Sequence, residues 1–86
     1  MMEYTITIAR SARKELQALA LDMAERVLER IESLSANPRP SGCRKLRGSN
    51  DLWRIRIGDY RVVYRIDDTH HIVDVTVVRH RREVYR

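Results

Sequence analysis

The sequence predicts an α+β domain in which a largely antiparallel β-sheet packs against an N-terminal helical hairpin, in the order β-α-α-β-β-β-β. Three observations support this class. A short alternating segment opens the chain, two stretches of helical periodicity follow it, and the second half contains strand-like segments separated by turn residues. With 86 residues, of which 43% are hydrophobic, we expect one small folded domain spanning residues 1–86.

The first half of the chain is predicted to form one strand and two helices. Residues 4–8 alternate polar and apolar side chains and are rich in β-branched types, which predicts a strand with one buried face. Helical spacing follows Ser11, an N-cap residue type, and continues to Pro38. Asp22 begins a sequence that resembles a capping box, so we expect the helical region to divide near Leu21.

The second half is predicted to form four strands. Residues 43–47 follow a loop with Pro and Gly and indicate a short, irregular edge strand. Residues 52–57 and 60–66 indicate a hairpin, because Gly58-Asp59 suits a two-residue turn with Gly first. Residues 72–78 are so uniformly apolar that we expect this strand in the interior of the sheet.

The net charge of +5 is confined to the strand-rich half. Residues 1–43 hold six basic and six acidic residues, whereas residues 44–86 hold eleven basic and six acidic ones. Fifteen of the 17 basic residues are Arg, whose planar fork matches phosphate oxygens bidentately. We therefore expect a polyanionic partner, with a merely solubilising basic surface as the alternative.

Several classes of protein are disfavoured by the sequence. Cys43 is the only cysteine, so no internal disulfide can form, and no Cys/His group has the spacing of a zinc site. Residues 1–5 lack the basic start and apolar core of a secretory signal. The longest apolar-rich run, residues 72–78, is far shorter than the ~20 residues that span a bilayer. We therefore expect a cytoplasmic protein with no membrane contact, no metal site and no cofactor.

The predicted hairpin brings arginines together. If Gly58-Asp59 forms the turn, Arg56 lies opposite Arg61 and Arg54 lies opposite Val63 on the face of the sheet away from the helices. Like charges directly opposite each other destabilise a sheet, by up to about 1 kcal/mol. A phosphate bridging the two guanidinium groups would offset that cost. The alternative is that both side chains extend into solvent.

These motifs resemble the RelE branch of the RelE/ParE toxin superfamily. The resemblance is carried by KLRGS at 45–49, LWRIRIGDYRVVY at 52–64, HR at 80–81 and VY at 84–85. It extends over nearly the whole chain. It implies the toxin of a toxin–antitoxin pair, a metal-independent endoribonuclease that cleaves mRNA in the ribosomal A site and is inhibited by a RelB-like antitoxin. Two alternatives remain, a ParE-like inhibitor of DNA gyrase with the same fold and a non-catalytic basic nucleic-acid-binding module.

The resemblance also implies which residues act. By position, the catalytic residues of the family fall on Arg54, Arg56, Arg61, Arg81 and Tyr85. Arg79 or Arg82 is the alternative for the C-terminal arginine, because this tail is shorter than in many relatives. Further contacts with RNA or the ribosome are expected from Arg44, Lys45, Arg47, Arg65, Arg79 and Arg82.

RNA cleavage without a metal sets the chemical roles. The ribose 2′-OH must lose a proton, charge on the phosphoryl oxygens must be stabilised, and the 5′-oxygen must gain a proton. Tyr85 would be the base only if guanidinium groups lower its pKa from about 10. Arg81 would stabilise the leaving oxygen, and His80 is an alternative acid. Arginines replace the lysines of some relatives at 54 and 56, and the helix that often follows the tyrosine is missing, so the proton-transfer steps stay open.

Overall fold

The computed structural model of the protein describes residues 3–80. Its elements occur in the predicted order, and the α+β class is confirmed. They are β1 (Thr5–Ile8), α1 (Arg10–Ala18), α2 (Leu21–Ser33), β2 (Arg44–Lys45), β3 (Leu52–Ile57), β4 (Tyr60–Asp67) and β5 (Ile72–His80).

The five strands form one sheet in the order β1-β5-β4-β3-β2. β1 pairs parallel to β5, and the other three pairings are antiparallel. The apolar strand β5 lies inside the sheet between β1 and β4, as its composition predicts. The two-residue β2 is an edge strand, also as predicted.

Both helices pack on the same face of the sheet. α1 contacts mainly β5, and α2 contacts β3. The core between these layers contains Ala12, Leu16, Val27, Ile31 and Leu34 from the helical region and Ile55, Ile57, Val62, Tyr64, Ile66, Val73, Val75 and Val78 from the strands. Within residues 3–80 no helix covers the opposite face of the sheet, which we call the open face.

The helix boundaries differ in part from the prediction. The predicted N-cap at Ser11 is wrong, because α1 begins at Arg10 after Ala9. The Ala9 N–H donates to the carbonyl of Val75 at 2.8 Å, so the chain is held in strand geometry up to the residue before the helix. The division near Leu21 is confirmed, but Asp22 lies in the first turn of α2 and does not cap it. A carboxylate there still interacts favourably with the helix dipole.

The hairpin turn between β3 and β4 has the predicted form. Gly58 has a φ of +58°, whereas Asp59 is not among the residues with positive φ. A positive φ at the first central residue alone is the type II′ pattern, which favours Gly there. The resulting register pairs Ile57 with Tyr60, Arg56 with Arg61 and so on along both strands.

A polar network holds the segment between α2 and β2 against the sheet. The buried Tyr64 hydroxyl donates to the carbonyl of Pro38 at 2.8 Å. The Arg39 guanidinium lies over the Trp53 ring at 5.1 Å and donates two hydrogen bonds to Asp68. These contacts fix the path of the chain into β2.

No helix in residues 3–80 is long and apolar enough to cross a membrane.

Candidate nucleic-acid interface

The open face carries the arginines of the hairpin. Arg56 on β3 lies opposite Arg61 on β4, which confirms the predicted register. Arg54 lies opposite Val63 in the neighbouring position, also as predicted. Directly opposed Cα atoms in antiparallel strands are about 4.5–5.5 Å apart, so the two arginine side chains start from adjacent points of the sheet.

A β-bulge adds a third arginine to this position. Val63 pairs with Val77 but the next residue, Tyr64, pairs with Val75, which leaves Thr76 as the extra residue of β5. Strict alternation from the buried Val75 would place Arg79 on the helix-packed face. The bulge reverses the alternation, so Arg79 lies on the open face opposite Arg61. We call Arg56, Arg61 and Arg79 the arginine row.

The arginine row concentrates positive charge across three adjacent strands. Arg61 is in the middle with only 7% of its surface exposed, whereas Arg56 and Arg79 are exposed. Neither Arg56 nor Arg79 forms an ion pair with a carboxylate of residues 3–80. Three arginines at directly opposed positions of adjacent strands can offer one anion several charge-assisted hydrogen bonds. The row is therefore suited to bind a phosphate.

A second pair of arginines is visible only in the folded chain. β2 pairs with β3 so that Arg44 lies opposite Arg54, one cross-strand position away from the row. The sequence predicts Arg54 as a catalytic residue and Arg44 as a contact with RNA or the ribosome, but it does not predict that the two lie opposite each other. Six residues separate the two strands, and a connection of that length does not fix a register as a two-residue turn does.

Three other predicted contacts lie away from the arginine row. Arg65 forms an ion pair with Asp51, with its Nε 2.9 Å from a carboxylate oxygen. Lys45 pairs with Trp53 and so belongs to the helix side of the sheet edge. Arg47 is exposed in the turn after β2. All three remain predicted contacts with a large partner such as the ribosome, but they do not complete the row.

The C-terminal site residues fall beyond the part of the chain that the structure describes. The predicted roles of Arg81, Arg82 and Tyr85 therefore stay predictions. His80, the last described residue, pairs with Tyr60, and their rings meet edge to face at 5.3 Å. This places His80 on the helix side of the sheet, whereas Arg79 before it is on the open face. The arrangement argues against His80 as the acid beside a phosphate on the row.

The clearest shifts in pKa lie away from the arginine row, in the network that holds the loop before β2 and in the turn between β4 and β5. The hydrogen bonds from Arg39 and Tyr4 lower the pKa of Asp68 to about 2. The same hydrogen bond to Asp68 raises the pKa of Tyr4. Hydrogen bonds from His70 lower the pKa of Asp67. Among residues 3–80, no group of three His, Cys, Asp or Glu side chains is placed to hold a metal ion.

Comparison with known proteins places the chain in a family. The profile of a family described as the ParE toxin of type II toxin–antitoxin systems, parDE, matches residues 6–85. Toxin RelG of Mycobacterium tuberculosis is 35% identical over 86 residues, with 99% of both chains covered. The chain belongs to the RelE/ParE superfamily of toxins. It is a RelE-like toxin of a toxin–antitoxin system.

Solved structures of RelE toxins share its fold. The archaeal RelE–RelB complex of Pyrococcus horikoshii matches with a TM-score of 0.83 at 32% identity, covering 93% of this chain and 97% of that one. A double mutant of the E. coli toxin RelE in the free state matches with a TM-score of 0.81 at 30% identity, covering 98% and 92%. The RelE-like fold predicted from the motifs is confirmed.

Proposed function

We propose that this RelE-like toxin is a ribosome-dependent mRNA interferase, an endoribonuclease that cleaves mRNA in the ribosomal A site and stops translation. The observation that carries the proposal is the arginine row, which spans three strands on a face that no described helix covers. A row of guanidinium groups binds the phosphodiester and the negative charge that develops on it during cleavage. Its position on an open face leaves room for a long polymer.

The reaction is an internal transfer at phosphorus. The 2′-oxygen gives up its proton and bonds to phosphorus, the bond to the 5′-oxygen breaks, and that oxygen takes up a proton. The products are a 2′,3′-cyclic phosphate and a free 5′-hydroxyl. Arg56 and Arg61 hold the phosphoryl oxygens, and Arg54 orients the strand. Tyr85 accepts the 2′ proton, and Arg81 stabilises charge on the leaving oxygen.

The composition of the site explains a need for the ribosome. The arginine row supplies only guanidinium groups, which hold their protons too tightly to act as acids. Stabilisation of charge must therefore be combined with accurate alignment of the 2′-oxygen and phosphorus. Orientation of bound reactants can supply roughly 7–11 kcal/mol of a barrier, and a ribosome that fixes the mRNA would provide it.

A RelB-like antitoxin is the proposed protein partner, in the cytoplasm. Support comes from the P. horikoshii neighbour, which was solved as a RelE–RelB complex. An open basic face suits an acidic or amphipathic segment that covers it until the antitoxin is removed. Co-expression of this toxin with its antitoxin from a bicistronic plasmid should give a co-purifying complex, whereas expression of the toxin alone should not be tolerated.

Inhibition of DNA gyrase is the second candidate, because the matching family profile is described by its ParE members. The two functions separate in paired assays with the same protein preparation. A reconstituted translation reaction with primer extension detects mRNA cut in the A site, and a supercoiling reaction detects gyrase inhibition. Cleavage with unaffected supercoiling supports the interferase. Gyrase inhibition with intact mRNA would overturn it. If the protein neither cleaves mRNA nor inhibits gyrase, only the nucleic-acid-binding module remains.

A further inference from the structure

A cavity of about 420 Å³ lies beside the arginine row, at the outer edge of β3. β2 pairs with β3 only at Trp53 and Arg54, so within residues 3–80 no strand covers the edge from Ile55 to Ile57. The last turn of α2 and the loop before β2 form the other walls. The lining residues are Arg30, Ser41, Gly42, Arg44, Arg54, Ile55 and Arg56.

Four of the seven lining residues are arginines, and they come from three separate elements. Arg44 and Arg54 oppose each other across the strand pair, which brings two guanidinium-bearing side chains to neighbouring points of the cavity wall. Neither Arg30 nor Arg44 forms an ion pair with a carboxylate of residues 3–80. The cavity therefore has a strong positive potential and hydrogen-bond donors that an anion can use.

We propose that Arg30, Arg44 and Arg54 bind a second phosphate of the RNA strand, next to the phosphate held by the arginine row. The identity of the ligand as RNA rests on the proposed function. Arg54 and Arg56 are two residues apart on β3, which corresponds to about 7 Å along a strand. That distance is similar to the separation of neighbouring phosphates in an extended polynucleotide. The two sites then fix two successive phosphates and so set which linkage lies on the row.

The lining favours nucleic acid over an acidic protein segment. Ile55 is the one aliphatic side chain among the lining residues, and Ser41 and Gly42 add only small polar surface. A peptide helix requires an apolar groove for its anchoring side chains. A polyanion with regularly spaced phosphates needs the guanidinium groups that this cavity supplies.

Arg30 is the residue that distinguishes this proposal from the family resemblance. Helical periodicity alone places it on the solvated face of α2, and it was not among the predicted contacts. Its position in the last turn of α2 also suits the helix dipole, which gives it a purely structural alternative. Arg30→Gln removes the charge and retains a good helix former, so a binding test can separate the two roles.

The test measures binding of a single-stranded 2′-O-methyl RNA hexamer, which lacks the 2′-hydroxyl nucleophile and cannot be cleaved. Fluorescence anisotropy of the full chain compares Arg30→Gln with Arg10→Gln, which removes an exposed arginine from α1 on the β5 side of the molecule. Arg30→Gln should weaken binding about 10-fold relative to the control. It should also reduce the slope of log K against log salt by about 0.7, the value for one lost phosphate contact to a single strand.

A second variant and a second ligand make the result decisive. Arg44 is exposed on the edge strand β2. Arg44→Gln should therefore weaken RNA binding as Arg30→Gln does, without changing the core. Hexaglutamate, the peptide control, should bind Arg30→Gln and Arg10→Gln equally. Equal RNA affinities and salt slopes for Arg30→Gln, Arg44→Gln and Arg10→Gln would overturn the proposal, as would an effect seen with hexaglutamate alone. Because binding is measured without cleavage, the second phosphate site can stand if the nuclease activity fails, and the reverse also holds.

Discussion

Arg56 is the member of the arginine row best suited to mutagenesis. It is exposed, and it forms no ion pair with a carboxylate of residues 3–80. Arg61, at 7% exposed, is part of the packed sheet, so its replacement changes stability as well as chemistry. A functional effect at Arg56 therefore reports on the ligand and not on folding.

Arg56→Ala should reduce cleavage of ribosome-bound mRNA about 100-fold, because loss of one group that stabilises transition-state charge typically costs 10²–10³ in rate. The measurement is primer extension on programmed ribosomes under single-turnover conditions. Arg10→Ala, an exposed arginine on α1, is the charge-matched control and should cleave at the wild-type rate. Equal activity of the two variants would show that the arginine row does not contact the reacting phosphate.

Asp68 links stability to pH. The pKa of its carboxyl falls from 3.8 to about 2 in the folded protein, chiefly through the hydrogen bonds from Arg39. The charged carboxylate therefore stabilises the fold above about pH 4, and this contribution is lost as pH falls through about 2. Asp68→Asn should unfold at lower urea concentration than the wild type at pH 7, and the difference should shrink between pH 4 and pH 2.

The control for this titration is Asp59→Asn, at an exposed carboxylate in the hairpin turn. Asp59 forms no ion pair with a basic side chain of the described residues, so its replacement should shift the urea midpoint little at any pH. If Asp68→Asn and Asp59→Asn behave alike at pH 7, the Arg39–Asp68 contact does not contribute to stability.

At the scale of elements, the β3–β4 hairpin sets the pairing of the arginines through Gly58. Its φ of +58° is a conformation that side chains with a Cβ adopt poorly. A Cβ added at Gly58 would meet only the Met23 Cε atom, at an ordinary 3.7 Å, so space is not the obstacle. The conformation of the backbone alone makes this position specific for glycine.

Gly58→Ala should therefore lower the free energy of unfolding by about 1–2 kcal/mol, the cost of a left-handed conformation for an L-residue. Urea unfolding monitored by the fluorescence of Trp53 measures it. Asp59→Ala in the same turn should change stability by less than ~0.5 kcal/mol, because Asp59 has no positive φ. A similar loss in both variants would mean that turn strain is not the cause.

Features set by neighbouring residues in the sequence were predictable, whereas features set by contacts with distant segments of the chain were not. The hairpin followed from Gly58-Asp59, and its register confirmed the opposition of Arg56 and Arg61. The start of α1 was wrong because a hydrogen bond from Ala9 to β5 decides it. The bulge at Thr76 could not be predicted from the sequence. β5 is apolar at most of its positions, so its two faces have similar side chains and the alternation that would reveal an extra residue is absent.

For the whole molecule, the fold separates a nearly neutral helical layer from a basic sheet face. Within residues 44–80, strand pairing brings arginines together on the open face and at the outer edge of β3; they are Arg44, Arg54, Arg56, Arg61 and Arg79. Repulsion within this surface opposes folding in the absence of a ligand. A polyanion should consequently stabilise the native state as a whole.

Saturating 2′-O-methyl RNA should raise the melting temperature. At 100 times its Kd, a ligand that binds only the native state adds about 2.7 kcal/mol, which for a small domain corresponds to roughly 10–20 °C. Differential scanning fluorimetry measures the shift, which should decline as salt is increased. A morpholino strand of the same sequence, with an uncharged backbone, should leave the melting temperature unchanged. An equal shift with the morpholino would assign binding to the bases and not to the phosphates.

The sequence by itself determined the α+β class, the order of the elements, the hairpin register and the location of the excess charge in one half of the chain. Periodicity and turn chemistry depend on residues close together in the sequence, so the features that follow from them can be predicted without knowing the tertiary contacts. Only the tertiary structure decided that Arg79 joins Arg56 and Arg61, and that Arg30 and Arg44 share a cavity with Arg54. Those arrangements depend on a bulge, an edge-strand register and a helix position, which are set by contacts between segments distant in sequence.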